Sequence, residues 1–222
     1  MRLSARQLNR ATMARQLLLQ RSPLDVVSAV SHLGGLQAQE PASPYLALWT
    51  RLADLSADDV NTALHQRRLV KATLHRSTLH IVSAADYHAS VNALLSLTRA
   101  KWRQEQRGLP VRRSLPDLAE ASLAYAQEPR TNVELRDHAG SLGEAMPADE
   151  LWRRIRRYAP FVHVPGDEAW AFGRRPTQIA AAAWLGGEDL DEAAALEHIV
   201  RSHLRAFGPA RLADISQWSG LA

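Results

Sequence analysis

Apolar residues recur at three- and four-residue spacing along most of the chain, and serine, proline and glycine punctuate them where helices would begin and end. Ser4-Ala5-Arg6-Gln7 has the form of a capping box, and Leu3 with Leu8 can close a hydrophobic staple around it. It predicts a first helix reaching about Gln20 that buries Leu8, Ala11, Leu18 and Leu19. Ser22-Pro23-Leu24-Asp25 predicts a second, with serine as N-cap and proline at the first helical position. Its stripe is Val26, Val27, Val30 and Leu33, and Gly34-Gly35 ends it. Ser43-Pro44 opens a short helix through Tyr45, Leu48 and Trp49, and Ser56-Ala57-Asp58-Asp59 caps a fourth that turns Val60 and Leu64 inward.

The period then changes. Residues 69–75 and 78–82 read as two strands joined by a tight turn at Arg76-Ser77, and helices followed by a basic hairpin outline a winged helix. Ser83-Ala84-Ala85-Asp86 caps a long helix through Leu94, Leu95 and Trp102, which stops near Gly108-Leu109-Pro110. The outline recurs: a helix at about 116–127, one capped by Thr131-Asn132-Val133-Glu134, and one opened by Pro147 that carries Leu151, Trp152, Ile155 and Tyr158. Phe161-Val162-His163-Val164 and Ala169-Trp170-Ala171-Phe172 are expected to form a second hairpin around Pro165-Gly166-Asp167. A long helix over about 189–206 leads to residues 208–221, which read as the first helix and turn of a third unit, cut short.

The fold class expected is therefore mainly α with small β-hairpins (α+β), in tandem winged helix-turn-helix units. The units divide as 1–110, holding a Gln-x-Gln loop, 111–188, and 189–222, a linking helix with the start of a truncated third unit. Apolar content of 46% and charged content of 23% fit a globular chain with its own cores. There is no cysteine, which excludes disulfides, thiolate metal sites and thiol nucleophiles. No signal-peptide core or membrane-length apolar run is present, so a cytoplasmic, nucleoid-associated protein is expected.

Charge is uneven. Residues 1–113 hold 16 Lys+Arg against 7 Asp+Glu, a balance of +9, whereas residues 114–222 hold 11 against 16. Only Lys71 and Lys101 are lysine. A basic, arginine-dominated first half points to a polyanion, and tandem winged helices point to duplex DNA. In the second unit, Arg153, Arg154, Arg156 and Arg157 lie where a recognition helix would sit; Arg153, Arg154 and Arg157 are taken as candidate DNA contacts, against the plainer reading of a solvated face. Arg76, Thr78 and His80 on the first hairpin are candidates too.

The chemistry rests on Gly35-Leu36-Gln37-Ala38-Gln39-Glu40-Pro41. Residues i and i+2 of an extended chain leave one face about 7 Å apart, so Gln37 and Gln39 would present two amides together. They are either a local hydrogen-bonding detail or a site. Rival constellations are weak. The nine histidines include no metal-binding spacing, and no phosphate-binding glycine loop or Gly-x-Ser-x-Gly appears. Neither a metal nor a cofactor is expected. Acidic pairs at 58–59, 167–168 and 188–189 fit caps and turns, and the six tryptophans are read as core.

Leu3-Ser4-Ala5-Arg6-Gln7-Leu8-Asn9-Arg10, Gly35-Leu36-Gln37-Ala38-Gln39, Arg76-Ser77-Thr78-Leu79-His80-Ile81-Val82, and Phe207-Gly208-Pro209-Ala210 with Asp214 and Trp218-Ser219-Gly220-Leu221 together resemble the AlkZ/YcaQ family of bacterial winged-helix DNA glycosylases. The resemblance runs the length of the chain in order. It implies excision of bulky N7-alkylated purines, unhooking of interstrand crosslinks, and Gln37 and Gln39 as the catalytic pair. The Gln-x-Gln form matches the AlkZ branch; the YcaQ branch has Gln-x-Asp. Ala38 stands where the family usually has a larger aliphatic residue. Family members continue through a third winged helix into a β-barrel.

An amide neither abstracts a proton as a general base nor protonates a leaving group. Two glutamines therefore suit a base that is already cationic and departs neutral. What remains is to orient water and to offer amide dipoles to the developing oxocarbenium-like sugar. With no lysine evidently placed as a Schiff-base nucleophile, a monofunctional glycosylase acting as a monomer on double-stranded DNA with alkylated purines is expected. The alternative is a non-catalytic winged-helix DNA-binding protein, such as a transcriptional regulator.

Overall fold

Serine, threonine and aspartate caps set most of the helix starts, and one continuous sheet ties the helices together. The structure, a computed structural model, describes residues 3–173, 175–187 and 191–220, apart from the side chains of Leu95, Ser96, Thr98, Arg99 and Tyr158. The expected core roles of Leu95 and Tyr158, the acidic pair at 188–189, the start of the linking helix at 189, and Leu221 lie outside the described residues.

Helix α1 (Ala5–Arg15) begins at the capping box, where Ser4 and Gln7 bond reciprocally. It ends five residues earlier than expected. Gln16 is its C-cap and Leu17 turns left-handed at φ 56°. Leu17 packs partly against the core, while Leu8, Leu18 and Leu19 stay exposed, with no cover from the described residues. α1 is fixed instead by polar contacts: the Gln16 amide donates to the Ala206 carbonyl at 2.8 Å. The cap of α2 (Val26–His32) is Asp25, not Ser22; its carboxylate accepts from the backbone N–H groups of Val27 and Ser28. Ser22 exchanges backbone bonds with Arg51 and Ala53.

The chain continues through β1 (Leu36–Gln37), α3 (Ser43–Trp49), α4 (Ala57–His65), β2 (Leu69–Thr73) and β3 (Leu79–Ser83). The turn between β2 and β3 is a 3₁₀ turn, His75–Ser77, with Arg76 and Ser77 both at positive φ. Ser83 ends the strand and caps the 22-residue helix α5 (Ala84–Glu105). The sequence of elements then repeats: α6 (Leu115–Tyr125), β4 (Arg130–Thr131), α7 (Asn132–Ser141), α8 (Ala148–Tyr158), β5 (Phe161–Val164) and β6 (Thr177–Ala180). Short α9 (Ala181–Leu185), α10 (Glu192–Phe207) and α11 (Leu212–Ser219) complete it. The fold is thus mainly α with small hairpins, and each half follows the order helix, strand, two helices, hairpin of a winged helix.

The sheet order is β1-β3-β2-β5-β6-β4, antiparallel throughout. The two wings are joined through Lys71↔His163 and Ala72↔Val162. The second hairpin differs from expectation. Its return strand is Thr177–Ala180, and residues 169–172 lie in a long connection. Ala171 and Phe172 are apolar because they pack into the first half's core with Leu36, Leu48 and Ile81. A second core, with Leu118, Leu135, Leu151, Trp152 and Ile155, holds α6–α8 and takes in Trp102 of α5 and Phe161 of β5. Trp102 and Trp152 are buried as expected, but Trp49 and Trp170 are exposed. Arg21 covers the Trp49 ring at 4.8 Å, and Trp170 packs edge-on against Tyr45 at 4.9 Å.

Candidate active site

Gly34 and Gly35, at φ 72° and 93°, turn the chain out of α2 into an edge strand. The Gly35 N–H closes back onto the Val30 carbonyl at 3.0 Å. From there burial alternates with period two: Leu36 and Ala38 are buried, Gln37 and Gln39 exposed. The two amides therefore share the outward side of the strand.

Their environments differ. Gln39 Oε1 accepts from the Leu79 N–H at 2.9 Å. Only the carbonyl end of an amide can accept from an N–H, which leaves the Gln39 NH₂ free to donate outward. Among the described residues nothing bonds the Gln37 side chain, so both ends of its amide are available. Gln37 pairs with His80 across the β1–β3 ladder. The Ala38 N–H bonds the Leu79 carbonyl at 2.8 Å. That makes 38/79 the hydrogen-bonded pair and Gln37/His80 one of the closer non-hydrogen-bonded pairs, with Cα atoms about 4.5 Å apart and side chains on one face.

His80 is 8% exposed, and its Nδ1 lies 3.0 Å from the Thr78 carbonyl. A carbonyl only accepts, so Nδ1 carries the proton and Nε2 the lone pair. Burial lowers the His80 pKa, the Thr78 carbonyl opposes, and Arg76 lowers it further. Next to it, His75 packs edge-on to His80 at 5.5 Å and stacks on Trp218 of α11 at 4.2 Å. Burial, then His80, pushes His75 down to about 3.

The other expected contacts divide. Arg76 is exposed but donates to the Trp218 carbonyl at 2.7 Å, so it clamps the end of α11 to the turn. Thr78 Oγ1 donates to the His75 carbonyl at 3.1 Å. On α8, Arg154 pairs with Glu150 at 2.7 Å and Glu105 at 3.4 Å, and Arg157 lies 3.8 Å from Glu105. Arg153 and Arg156 are exposed with no ion pair among the described residues. Partial burial, then Arg153 and Arg157, lowers the Arg156 pKa. Arg156, named with the other three arginines, was not taken as a candidate DNA contact, although the Glu150/Arg154 spacing of four on one helix is the signal that marks Arg154 as paired. Of these candidates His80 stands beside the pair, across the ladder from Gln37, whereas Arg76 and Arg154 are held by bonds elsewhere.

Neither lysine approaches the pair by a bond. Lys71 is 5% exposed on the opposite sheet face, its amine 4.5 Å from the Phe172 ring centroid. Burial lowers its pKa, with Glu40 opposing. Lys101 lines a separate cavity of about 460 Å³ with Leu74, Tyr87 and Trp102, which includes neither glutamine. Among the described residues no group of three histidine or acidic side chains is placed to hold a metal.

The family model described as DNA glycosylase AlkZ-like matches residues 30–222, the Gln-x-Gln strand and hairpin included. The chain belongs to the AlkZ-like DNA glycosylase family. Streptomyces sahachiroi DNA glycosylase AlkZ, a solved structure, matches with a TM-score of 0.73 at 20% identity, over 99% of this chain and 65% of that one. That likeness is one of fold, and the chain spans less than two thirds of the Streptomyces protein. No curated protein matches. No helix among the described residues is long and apolar enough to cross a membrane.

Proposed function

We propose that this AlkZ-like chain is the core of a DNA repair glycosylase that hydrolyses the N-glycosidic bond of cationic N7-alkylated purines in duplex DNA, bulky adducts and interstrand crosslinks included. The observation that carries the reading is the exposed Gln37/Gln39 pair, held on a glycine-turned edge strand and, among the described residues, hydrogen-bonded to no carboxylate. Gln39, its carbonyl occupied, offers an N–H₂ dipole to the departing base or a flanking phosphate. Gln37 keeps its carbonyl for the attacking water and for the positive charge growing on the sugar. The base leaves neutral, so no acid is required.

Burial of Lys71 on the far sheet face, and Lys101 in a different cavity, support hydrolysis without a Schiff base, that is, a monofunctional enzyme. We read residues 1–110 and 111–188 as the two winged-helix units, 189–222 as the linking helix and start of a third, and the protein as a monomer on nucleoid DNA. The test is release of free 7-methylguanine from methylated duplex DNA. Gln37→Ala and Gln39→Ala should each lower the single-turnover rate by roughly 10²-fold while DNA affinity in a mobility-shift assay stays unchanged. Binding to one operator sequence with no base released would point instead to a regulator.

A further inference from the structure

The two amides leave one part of the reaction unassigned. When water adds to the sugar, C1′ forms a bond to oxygen as its bond to the base nitrogen breaks. The electron pair of the broken bond neutralises the cationic purine, and one proton of the water must go elsewhere. Neither glutamine can take it.

We propose that His80 is the acceptor of that proton, a third catalytic residue beside Gln37 and Gln39. This rests on the glycosylase reading above. Three observations carry it. The ladder register places the His80 ring and the Gln37 amide side by side on one face, in the pair class where side chains approach most closely. His80 Nδ1–H donates to the Thr78 carbonyl, which fixes the tautomer and leaves a lone pair on Nε2. Nε2 has no protein partner among the described residues, and it is not sealed from solvent as His75 Nδ1 and both His203 nitrogens are. A water held between the Gln37 carbonyl and Nε2 would be oriented by the first and deprotonated by the second. The proton then passes to solvent, which leaves an abasic C1′ hydroxyl and a neutral N7-alkylpurine.

The surroundings keep the imidazole uncharged. His75 and Arg76 face it from the turn; beyond His75, α10 brings His203 and α11 brings Trp218, with Asp214 acting on His203. Neither of these two His80 neighbours is a carboxylate that would hold the ring protonated. Because burial depresses its pKa, His80 stays a neutral acceptor somewhat below the pH at which free histidine charges, and activity is lost as pH falls through that lowered value.

The test is single-turnover release of 7-methylguanine from methylated duplex between pH 5 and 8, with the uncatalysed rate subtracted. The wild type should show a one-proton acid limb. His80→Ala should lose roughly 10²-fold at neutral pH, lose the limb, and recover part of the rate with added imidazole. His80→Gln, which retains an acceptor but cannot titrate, should be slow and flat with pH while melting like the wild type. A wild-type rate in His80→Ala, or an acid limb that survives in His80→Gln, overturns the role and leaves the glycosylase reading standing. A wild type that releases no base overturns the glycosylase reading itself. Nitrogen-15 NMR of the His80 ring decides the acceptor geometry independently of turnover: a protonated Nε2 in the neutral ring overturns the proposal.

Discussion

At Gly35 a single missing methyl group decides where the glutamines stand. The residue sits at φ 93°, and a Cβ built there would lie 2.7 Å from Val82 Cγ1 on the neighbouring strand. Gly35→Ala should cost about 1–3 kcal/mol, measured by urea denaturation, and lower base release by displacing Gln37 two residues on. Gly108→Ala gives the comparison, since its φ is 81° but nothing lies within 4 Å of the added carbon. It should show the backbone strain alone, about 1 kcal/mol. At this scale the pair was legible in the sequence because alternation along an extended chain is local. The Leu79 N–H that holds Gln39 was not, since a backbone donor forty residues away carries no side-chain signature.

Among the elements, caps were legible and coverage was not. The box at Ser4 and the caps at Ser56 and Thr131 form where expected, the latter two also as full boxes, because each is a contact three residues long. The length of α1 was overestimated because the chain turns left-handed at Leu17 and leaves Leu18 and Leu19 exposed, and the return strand of the second hairpin was misplaced because Ala171 and Phe172 serve another half's core. The junction of α5 with α10 is equally non-local: His198 Nε2 lies 2.6 Å from Asp86 Oδ1, 112 residues away. Burial raises the Asp86 pKa, but bonds from His198, Ser83 and Ser31 outweigh it, and the carboxyl titrates below the ordinary 3.8. A depressed carboxylate contributes stability above its unfolded value and loses it as pH falls through the folded one. Asp86→Ala should therefore cost about 2 kcal/mol at neutral pH, as the loss of the carboxylate's hydrogen bonds to Ser83 Oγ and His198 Nε2. The difference from the wild type should shrink below about pH 4, read from urea melts along a pH series.

For the whole molecule, the repeated outline was legible because each unit carries its own periodicity, whereas the joining of the two wings through β2 and β5 was not, resting on two residue pairs about ninety positions apart. The surface charge can be tested in the same terms. Arg153→Ala and Arg156→Ala should each reduce the slope of log affinity against log salt for duplex DNA by roughly 1. Arg154→Ala should leave that slope unchanged, since Glu150 and Glu105 already neutralise it. The shared sheet has a mechanical consequence. The wings are bonded edge to edge, and Phe172 of one half is buried in the core of the other, so the halves share both a sheet and a core. If the chain acts on duplex DNA as proposed, joined halves that move little would leave the duplex to supply the compliance, and a helix softened by a lesion would conform more readily than intact DNA.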